Sequence, residues 1–394
     1  MSVTVPRRPL AAARPPEQAA VLEKLSRLDR LLPLWIAVAM AAGLGLGSLI
    51  PSLNDDLDRL RVGTVSLPIA AGLLLMMYPV LAKVRYEDLG KLSHDGVSNR
   101  RFFGTSLLLS WVVGPAVMFT LAWLLLAHQP AYRTGVIIVG LARCIAMVLI
   151  WNDIAEGDRD RAAILVVFNA VFQVAAYSLL GYFYLTVLPG WLGLDTQGFE
   201  VGIWQVARTV LVFLGIPLAA GYATRRIGLR RRGRAWYEQR FIPRISPLTL
   251  YGLLFTIVLL FAIQGDAITS QPLDVARIAL PLLAYFAVMW AAGFAAGKLL
   301  GFPYPQTASL SFTVASNDFE LAIAVAVGVF GATSGQALAG VVGPLIEVPV
   351  LVTLVYVALW TRRFFPREVL RTSRGDVLCS AGRAAAEPPR SCLP

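Results

Sequence analysis

The sequence predicts an all-α integral membrane protein of ten transmembrane helices, arranged as two inverted repeats of five helices. Three observations predict this fold class. Hydrophobic residues make up 57% of the 394-residue chain and charged residues only 15%, whereas a soluble domain usually carries about 25% charged residues. The apolar residues form long runs separated by short polar segments, and the basic residues fall mainly on one side of those runs. The runs also divide into two halves with matching polar interruptions.

The apolar runs have the length of membrane-spanning helices. Most contain about 17–25 residues, enough to cross roughly 30 Å of hydrocarbon as helix. Helix is expected because an open strand edge leaves backbone groups unpaired in lipid. The predicted spans are residues 33–51, 66–82, 103–127, 134–152, 162–188, 203–223, 247–264, 278–300, 306–329 and 336–360.

The basic residues give these spans an orientation. Of the 35 Lys and Arg residues, 29 fall on one side of the spans and four on the other, while Arg143 and Arg208 fall within spans. The positive-inside rule then places both termini in the cytoplasm of a protein of the cell membrane. This asymmetry also accounts for the net charge of +11, so no nucleic-acid partner is expected. Trp111 and Trp151, near span ends, are expected to be anchors at the membrane interface.

The predicted organisation is one membrane domain, residues 33–362, with a tail at each end. Residues 1–32 form a basic N-terminal tail without a cleavable signal peptide. Residues 363–394 form a polar C-terminal tail that is expected to be disordered. An external loop divides the membrane domain into repeats of about 33–190 and 203–362. One repeat starts inside and the other outside, an inverted arrangement that is common in secondary transporters.

Polar residues interrupt the spans at corresponding places in the two repeats. They are Arg143 and Cys144 in span four, Asn169 and Gln173 in span five, Asn317, Asp318 and Glu320 in span nine, and Glu347 between Pro344 and Pro349 in span ten. Such interruptions indicate discontinuous helices, where freed backbone groups bind a substrate near the midplane. A charge at bilayer depth costs about 2.5–3.5 kcal/mol on insertion scales, which favours a pathway role for the charged residues. For Asn169 and Gln173, which share a helix face, hydrogen bonding between helices is an equal alternative.

Cys144 is the one cysteine within the predicted spans, since Cys379 and Cys392 lie in the C-terminal tail. A lone buried cysteine often acts only as a small hydrophobe. Arg143 changes that interpretation, because an adjacent cation favours the thiolate. A thiolate selects soft, thiophilic species over hard ions. A single thiol would also bind weakly and reversibly, as a carrier requires.

Glu347 is predicted to be the coupling site for protons. Pro344 and Pro349 lack a backbone N–H, so they are expected to open the helix around this residue. A buried carboxyl in such a place can take up and release protons near neutral pH. Asn317, Asp318 and Glu320 are expected to line the cavity that faces it.

Three segments carry a resemblance to a known family: residues 140–153 (GLARCIAMVLIWND), 315–325 (ASNDFELAIAV) and 340–349 (GVVGPLIEVP). Together they resemble the arsenite efflux permeases of the arsenical-resistance type, within the bile acid, arsenite and riboflavin transporter superfamily. The resemblance covers about residues 33–360. It implies ten helices in two inverted repeats, with broken helices four and nine crossing each other.

The resemblance also implies an activity, which is export of trivalent arsenite or antimonite in exchange for protons, with no cofactor and no enzymatic reaction. By position, the family's cysteine falls on Cys144, its span-nine Asn and Glu on Asn317 and Glu320, and its span-ten Glu on Glu347. The chain departs from the family pattern at Asp318, where an Asn is expected. This extra acid either joins the proton-coupling carboxyls or faces a hydrated vestibule.

The predicted site therefore has two parts. Its substrate-binding residues are Arg143, Cys144, Asn169, Asn317 and Glu320, with arsenic(III) as cargo on the thiol, and its proton-coupling residues are Glu347 and Asp318. The alternative function is a sodium-coupled organic-anion carrier of the same superfamily, because amide and carboxylate oxygens also suit Na⁺. A thiol favours arsenite over that alternative. An intramembrane enzyme is disfavoured, since no histidine within the spans could serve Cys144 as a base.

Overall fold

The computed structural model describes residues 32–50, 53, 57, 59–62, 65–87, 97–145, 147–194, 202–270 and 272–365. The tails predicted for residues 1–32 and 363–394 lie almost entirely outside these residues, as do Cys379 and Cys392. The described part of the chain is helical apart from a two-stranded hairpin and one isolated bridge. The hairpin pairs β1 (Arg61–Val62) with β2 (Val65–Ser66) in antiparallel register. It is the small departure from the all-α prediction.

The helices follow the predicted spans closely. In chain order they are α1 (Leu32–Leu49), α2 (Leu67–Lys83), α3 (Val97–Leu108), α4 (Gly114–Leu125), α5 (Pro130–Leu141), α6 (Met147–Ile154), α7 (Arg159–Tyr182), α8 (Leu188–Trp191), α9 (Ile203–Val210), α10 (Ile216–Trp236), α11 (Ile242–Ser270), α12 (Pro272–Leu299), α13 (Tyr304–Ala315), α14 (Phe319–Phe330) and α15 (Gly335–Thr361). Single π-helical segments join α3 to α4, α7 to α8, α9 to α10 and α10 to α11. At each of these four junctions the helix continues with a local widening, but α10 itself is kinked at Gly233, whose φ and ψ are not helical.

Five helical stretches of the described chain are long and apolar enough to cross a membrane. They are Asn99–Leu125, Arg159–Trp191, Ile203–Ile263, Leu273–Leu299 and Gly335–Phe364. The third stretch has 61 residues and changes direction at Gly233, whose φ of 77° is accessible chiefly to glycine. The helices α1, α2 and α14 are apolar but shorter. These lengths and compositions are those of a multi-pass membrane protein.

The segments predicted as spans four and nine are each broken in the middle. Span four consists of α5 and α6, separated around Arg143, and span nine consists of α13 and α14, separated around Asn317. Spans five and ten are continuous, so the prediction of discontinuous helices there is wrong. Helix α15 runs through both Pro344 and Pro349. Each proline removes one helical hydrogen bond, and packing within a bundle allows the helix to continue past that loss.

The helices form two packed groups. In the first group α1 and α2 pack against α11, and α2 also packs against α10. Close approach of α1 to α11 depends on glycine: a Cβ at Gly47 would lie 2.3 Å from the carbonyl oxygen of Ala262, and one at Gly43 would lie 2.6 Å from that of Val258. The second group contains α3 to α7 and α12 to α15, with α12 packed against α13, α15 and α4.

The half-helices of the two broken spans lie side by side within the second group. Helix α5 contacts α14, and α6 contacts α13. The far end of α13 is held to the α6–α7 turn, where the Tyr304 hydroxyl donates to the Ala155 carbonyl (2.9 Å) and the Asp158 N–H donates to the Pro305 carbonyl (2.9 Å). The two breaks therefore meet in the interior, with one pair of half-helices on each side of the meeting point.

Candidate functional site

The two breaks are joined by backbone hydrogen bonds. Arg143 and Asn317 form an isolated antiparallel bridge. On one side of it the Asp318 N–H donates to the Ala142 carbonyl (3.2 Å), and on the other the Cys144 N–H donates to the Ser316 carbonyl (3.4 Å). Extended backbone inside a membrane domain is stable only when its polar groups are paired. Each break therefore supplies partners for the other.

Side chains occupy the carbonyl groups that α5 leaves free at its end. A helix leaves its last four carbonyls without intrahelical donors. The Tyr177 hydroxyl donates to the Ile138 carbonyl (2.8 Å), and the Asn317 amide nitrogen donates to the Val139 carbonyl (2.6 Å). The Arg143 guanidinium donates to the carbonyl of Gly140. Asn317, one of the predicted substrate-binding residues, thus also fastens the end of α5.

Arg143 is buried, and its hydrogen bonds point back into the protein. Besides the Gly140 carbonyl, its guanidinium donates to the Tyr285 hydroxyl on α12 (2.8 Å), and its backbone N–H donates to the Gln173 side-chain oxygen (3.1 Å). A Cβ at Gly114 would lie 2.9 Å from the guanidinium, so α4 closes over it. No carboxylate among the described residues forms an ion pair with Arg143. The guanidinium therefore stabilises the break itself.

Cys144 lies within the break, with 4% of its surface exposed. It precedes α6 by three positions, and a helix N-terminus favours negative charge on a nearby thiol. It is the one cysteine in the described part of the chain. No group of three or more His, Cys, Asp or Glu side chains in that part is placed to hold a metal ion. A soft ligand at this position would therefore meet a single thiol.

Three carboxyl groups converge on the start of α14. Asp318 is the N-cap, and its Oδ1 accepts from the Leu321 N–H (3.0 Å). Glu320 lies in the first turn of α14. The Glu347 carboxyl on α15 lies close to Asn317 and Glu320. Asp318 is 2% exposed and Glu347 is 5% exposed, which favours the first of the two alternatives for Asp318 over a hydrated vestibule.

Helix α15 contacts the start of α14 closely at Gly343, one helical turn before Glu347. The ring of Phe319 lies against Gly343, where a Cβ would come within 1.8 Å of a ring carbon. A larger residue at position 343 would force either the Phe319 ring or α15 to shift. Glu347 follows Gly343 by four positions and so lies on the same face of the helix.

Several buried polar atoms at the crossing have no protein partner. They are Arg143 Nε and Gln173 Nε2 at the first break, and Ser316 Oγ, Asn317 Oδ1, Asp318 Oδ2 and Glu347 Oε1 at the second. Buried polar atoms are nearly always hydrogen-bonded, so a group of unpartnered ones requires an explanation. Four of these six atoms belong to the break of predicted span nine or to the carboxyl close to it. Their arrangement is suited to a small ligand with hydroxyl groups, or to protons.

The structure brings together most of the predicted site residues. Arg143, Cys144, Asn317, Asp318, Glu320 and Glu347 all lie at the crossing. Asn169 is more remote: its oxygen accepts from the indole N–H of Trp111 (3.2 Å), which is a bond between helices. Trp111 and Trp151 are 7% and 3% exposed, so their prediction as interface anchors is wrong.

Sequence reasoning did not single out Tyr177 and Tyr285, and it named Ser316 in the interruption of span nine without a role for its backbone. Tyr177 and Tyr285 lie in apolar spans, where a tyrosine is not by itself a signal of hydrogen bonding to a broken helix. Ser316 offers a backbone carbonyl, which sequence does not reveal. Gln173 was expected to act either in the site or between helices. Its side-chain oxygen accepts from the Arg143 N–H, so it connects α7 to the break of predicted span four.

Comparisons with known proteins agree with this architecture. The profile described as Sodium Bile acid symporter family matches residues 70–271. Together with the apolar helices, this match defines a multi-pass membrane transporter. The chain is also 56% identical over 346 residues to the arsenical-resistance protein Acr3 of Corynebacterium glutamicum, covering 88% of this chain and 92% of that protein.

Two further relatives are more distant. An uncharacterized transporter of Synechocystis sp. is 33% identical over 374 residues, covering 90% of this chain and 94% of that protein. The arsenical-resistance protein Acr3 of Alkaliphilus metalliredigens is 30% identical over 353 residues, covering 87% and 95%. The chain belongs to the sodium bile acid symporter family, in the branch of the Acr3 arsenical-resistance proteins.

Proposed function

We propose that this protein exports trivalent arsenite, and antimonite, from the cytoplasm in exchange for protons. The observation that carries the proposal is a single buried thiol, Cys144, in the break of one helix, whose backbone is hydrogen-bonded to the break of another. Its relatives named arsenical-resistance protein support arsenic as the cargo. A hard ion such as Na⁺ gains nothing from a thiol, so a sodium-coupled organic-anion carrier is the weaker alternative.

The thiol would bind arsenite by ligand exchange. Arsenite in neutral water is largely the uncharged As(OH)₃. The Cys144 sulfur displaces one hydroxide from arsenic, forming one As–S bond, and that hydroxide leaves as water with the thiol proton. The two remaining hydroxyls can donate to Asn317 Oδ1 and to the Glu320 carboxyl. Water reverses the reaction, so one As–S bond holds the cargo without trapping it.

Proton exchange is assigned to Glu347 and Asp318. Asp318 and Glu320 lie two residues apart at the start of α14, and Glu347 lies close to the same break. Like charges this close in a buried site cannot all remain ionised. Protonation of this group would therefore alter both the charge of the site and the polar atoms offered to arsenite.

Arg143 and Asn169 are assigned supporting roles toward the substrate. The guanidinium of Arg143 is engaged by Gly140 and Tyr285, so it positions Cys144 and adds positive charge next to the thiol. Asn169 donates nothing to a described partner through its Nδ2, which leaves that amide able to contact cargo after a conformational change.

The proposed topology is ten spans in two inverted repeats, about 33–190 and 203–362, with both termini in the cytoplasm and the protein in the cell membrane. Antiparallel pairing of the two broken spans supports it, because inversion makes equivalent segments run in opposite directions. The excess of basic residues on one side supports the orientation. The proposed domain limits remain residues 33–362, with tails on both sides.

The test is uptake of labelled arsenite into everted membrane vesicles. We expect uptake when the vesicle interior is acidic, collapse of uptake when a protonophore is added, and no response to a sodium gradient. Vesicles from cells that lack the protein provide the control. Uptake that follows the sodium gradient instead would favour the organic-anion carrier, and that result should be checked with labelled bile acid.

A further inference from the structure

A groove away from the crossing lies on the outer face of α10. It encloses about 660 Å³ and lies between α10 and the segment that follows its kink. One end has small and apolar walls, formed by Ala220, Ala223 and Ile227. The other end is bounded by Arg231, Arg232 and Trp236. Ala220 and Arg231 are eleven residues apart, which is about 16 Å along a helix.

The groove therefore changes from apolar to basic along its length. Its apolar end belongs to a stretch predicted to cross the membrane, and its basic end belongs to the cluster of arginines between Arg225 and Arg244. Ile227 is 53% exposed, so the wall is open to whatever surrounds the protein. Trp236 stacks on Phe241 (ring centroids 5.6 Å apart) and lies beneath the Arg232 guanidinium (4.7 Å). Tryptophan and arginine in this combination are typical of the membrane–water boundary.

The arginines of α10 divide into paired and unpaired groups. Arg225 is buried and bonded to Glu87, and Arg234 contacts both Glu87 and Glu238. Within the described residues, no carboxylate forms an ion pair with Arg231 or Arg232. Two positive charges thus border the groove without a protein anion to balance them.

We propose that this groove binds an anionic phospholipid, with the phosphate at Arg231 and Arg232 and an acyl chain along Ala220, Ala223 and Ile227. Both ends of the groove favour this ligand. The basic end complements a phosphate, and the apolar end, a short distance away, complements the hydrocarbon of an acyl chain. A basic pocket between helix ends at a membrane surface has the chemistry for such a headgroup. The proposal does not depend on which substrate the protein carries.

The experiment measures the melting temperature of the purified full-length protein in detergent, titrated with dioleoyl phosphatidylglycerol or dioleoyl phosphatidylcholine. We expect the melting temperature to rise with phosphatidylglycerol and to change little with phosphatidylcholine. The double variant R231Q/R232Q should show roughly 30-fold lower apparent affinity for phosphatidylglycerol. The matched control R226Q/R230Q removes the same charge from exposed positions of the same helix outside the groove and should bind as the wild type does.

A further variant and a phosphate control also test the proposal. Ala223→Trp fills the apolar end but keeps both arginines, so it should also weaken phosphatidylglycerol binding, and it decides the matter if R231Q/R232Q does not fold. Equal weakening by R226Q/R230Q and R231Q/R232Q would overturn the groove, because it would indicate general charge attraction. An equal rise in melting temperature with inorganic phosphate alone would contradict the proposal that the ligand is a lipid.

Discussion

At the residue scale, the site depends on a few side chains whose positions are set by backbone hydrogen bonds. Asn317 is the clearest case: its amide nitrogen fastens the end of α5, its backbone forms the bridge to Arg143, and its Oδ1 is left for another partner. The closure of two helix breaks and the proposed binding of substrate are therefore assigned to the same residue. A change at Asn317 would disturb both at once, so neighbouring residues give more specific tests.

Glu347 allows the proton role to be tested with little structural change. Glu347→Gln keeps the shape of the side chain and an oxygen that can accept a hydrogen bond, but it removes titration. We expect arsenite to bind to the variant, while uptake into everted vesicles loses its dependence on the proton gradient. Vesicle uptake with and without a protonophore measures this. A Gln variant that remains fully driven by protons would move the coupling role to Asp318 or Glu320.

Asp318 has both a structural and a proposed chemical role, and two substitutions separate them. Asn caps a helix about as well as Asp, whereas Ala at an N-cap costs about 0.5–2 kcal/mol. Asp318→Asn should therefore retain folding and export with an altered pH profile, because one of three carboxyls is lost. Asp318→Ala should lower the melting temperature as well. An Asn variant with the wild-type pH profile would restrict Asp318 to capping.

At the element scale, the sequence correctly predicted the two helix breaks at which extended backbone lies in the interior and needs polar partners. Cys144 and Asn317 indicated the breaks of spans four and nine. Glu347 and its two prolines indicated a break in α15 that does not exist, since a proline removes a donor but does not determine how the neighbouring helices pack. The contact of Phe319 with Gly343 and the bond of Arg143 to Tyr285 depend on tertiary packing, so no sequence pattern could predict them.

Helix α1 offers a matched test of close packing. A Cβ at Gly47 would meet the Ala262 carbonyl oxygen at 2.3 Å, whereas one at Gly45 would meet nothing within 4 Å. Gly47→Ala should destabilise the protein by about 1–3 kcal/mol through overpacking. Gly45→Ala should be neutral or slightly stabilising, because Ala is the better helix former by about 1 kcal/mol. Thermal unfolding of both purified variants measures the difference, and equal melting temperatures would contradict the α1–α11 contact.

At the scale of the whole molecule, the basic residues do more than orient the chain. Arg225 and Arg234 both bond Glu87, which connects the end of α2 to α10. Partial burial alone would raise the pKa of Glu87, but the hydrogen bonds and charge of Arg225, followed by Arg234, outweigh it and lower the pKa to about 2. The basic residues that give the sequence its charge asymmetry therefore also connect two helices, through the bonds of Arg225 and Arg234 to Glu87.

This connection predicts a dependence of stability on pH. The pKa of Glu87 is lowered from 4.5 to about 2, so its contribution is complete above pH 4.5 and is lost as the pH falls toward 2. Glu87→Gln should lower the melting temperature at neutral pH, and the difference from the wild type should shrink below pH 4.5. Melting curves of both proteins over a pH series measure this. A difference that stays constant with pH would contradict the ionic role of Glu87.

The central claim is that the Cys144 thiol at the crossing carries the arsenite. The most direct test is uptake of labelled arsenite into everted vesicles by Cys144→Ser, compared with the double variant Cys379→Ser/Cys392→Ser at equal amounts of protein in the membrane. Serine keeps the size of the side chain but offers a hard, protonated ligand. We expect uptake at background for Cys144→Ser and at the wild-type rate for the double variant. Wild-type uptake by Cys144→Ser would contradict it.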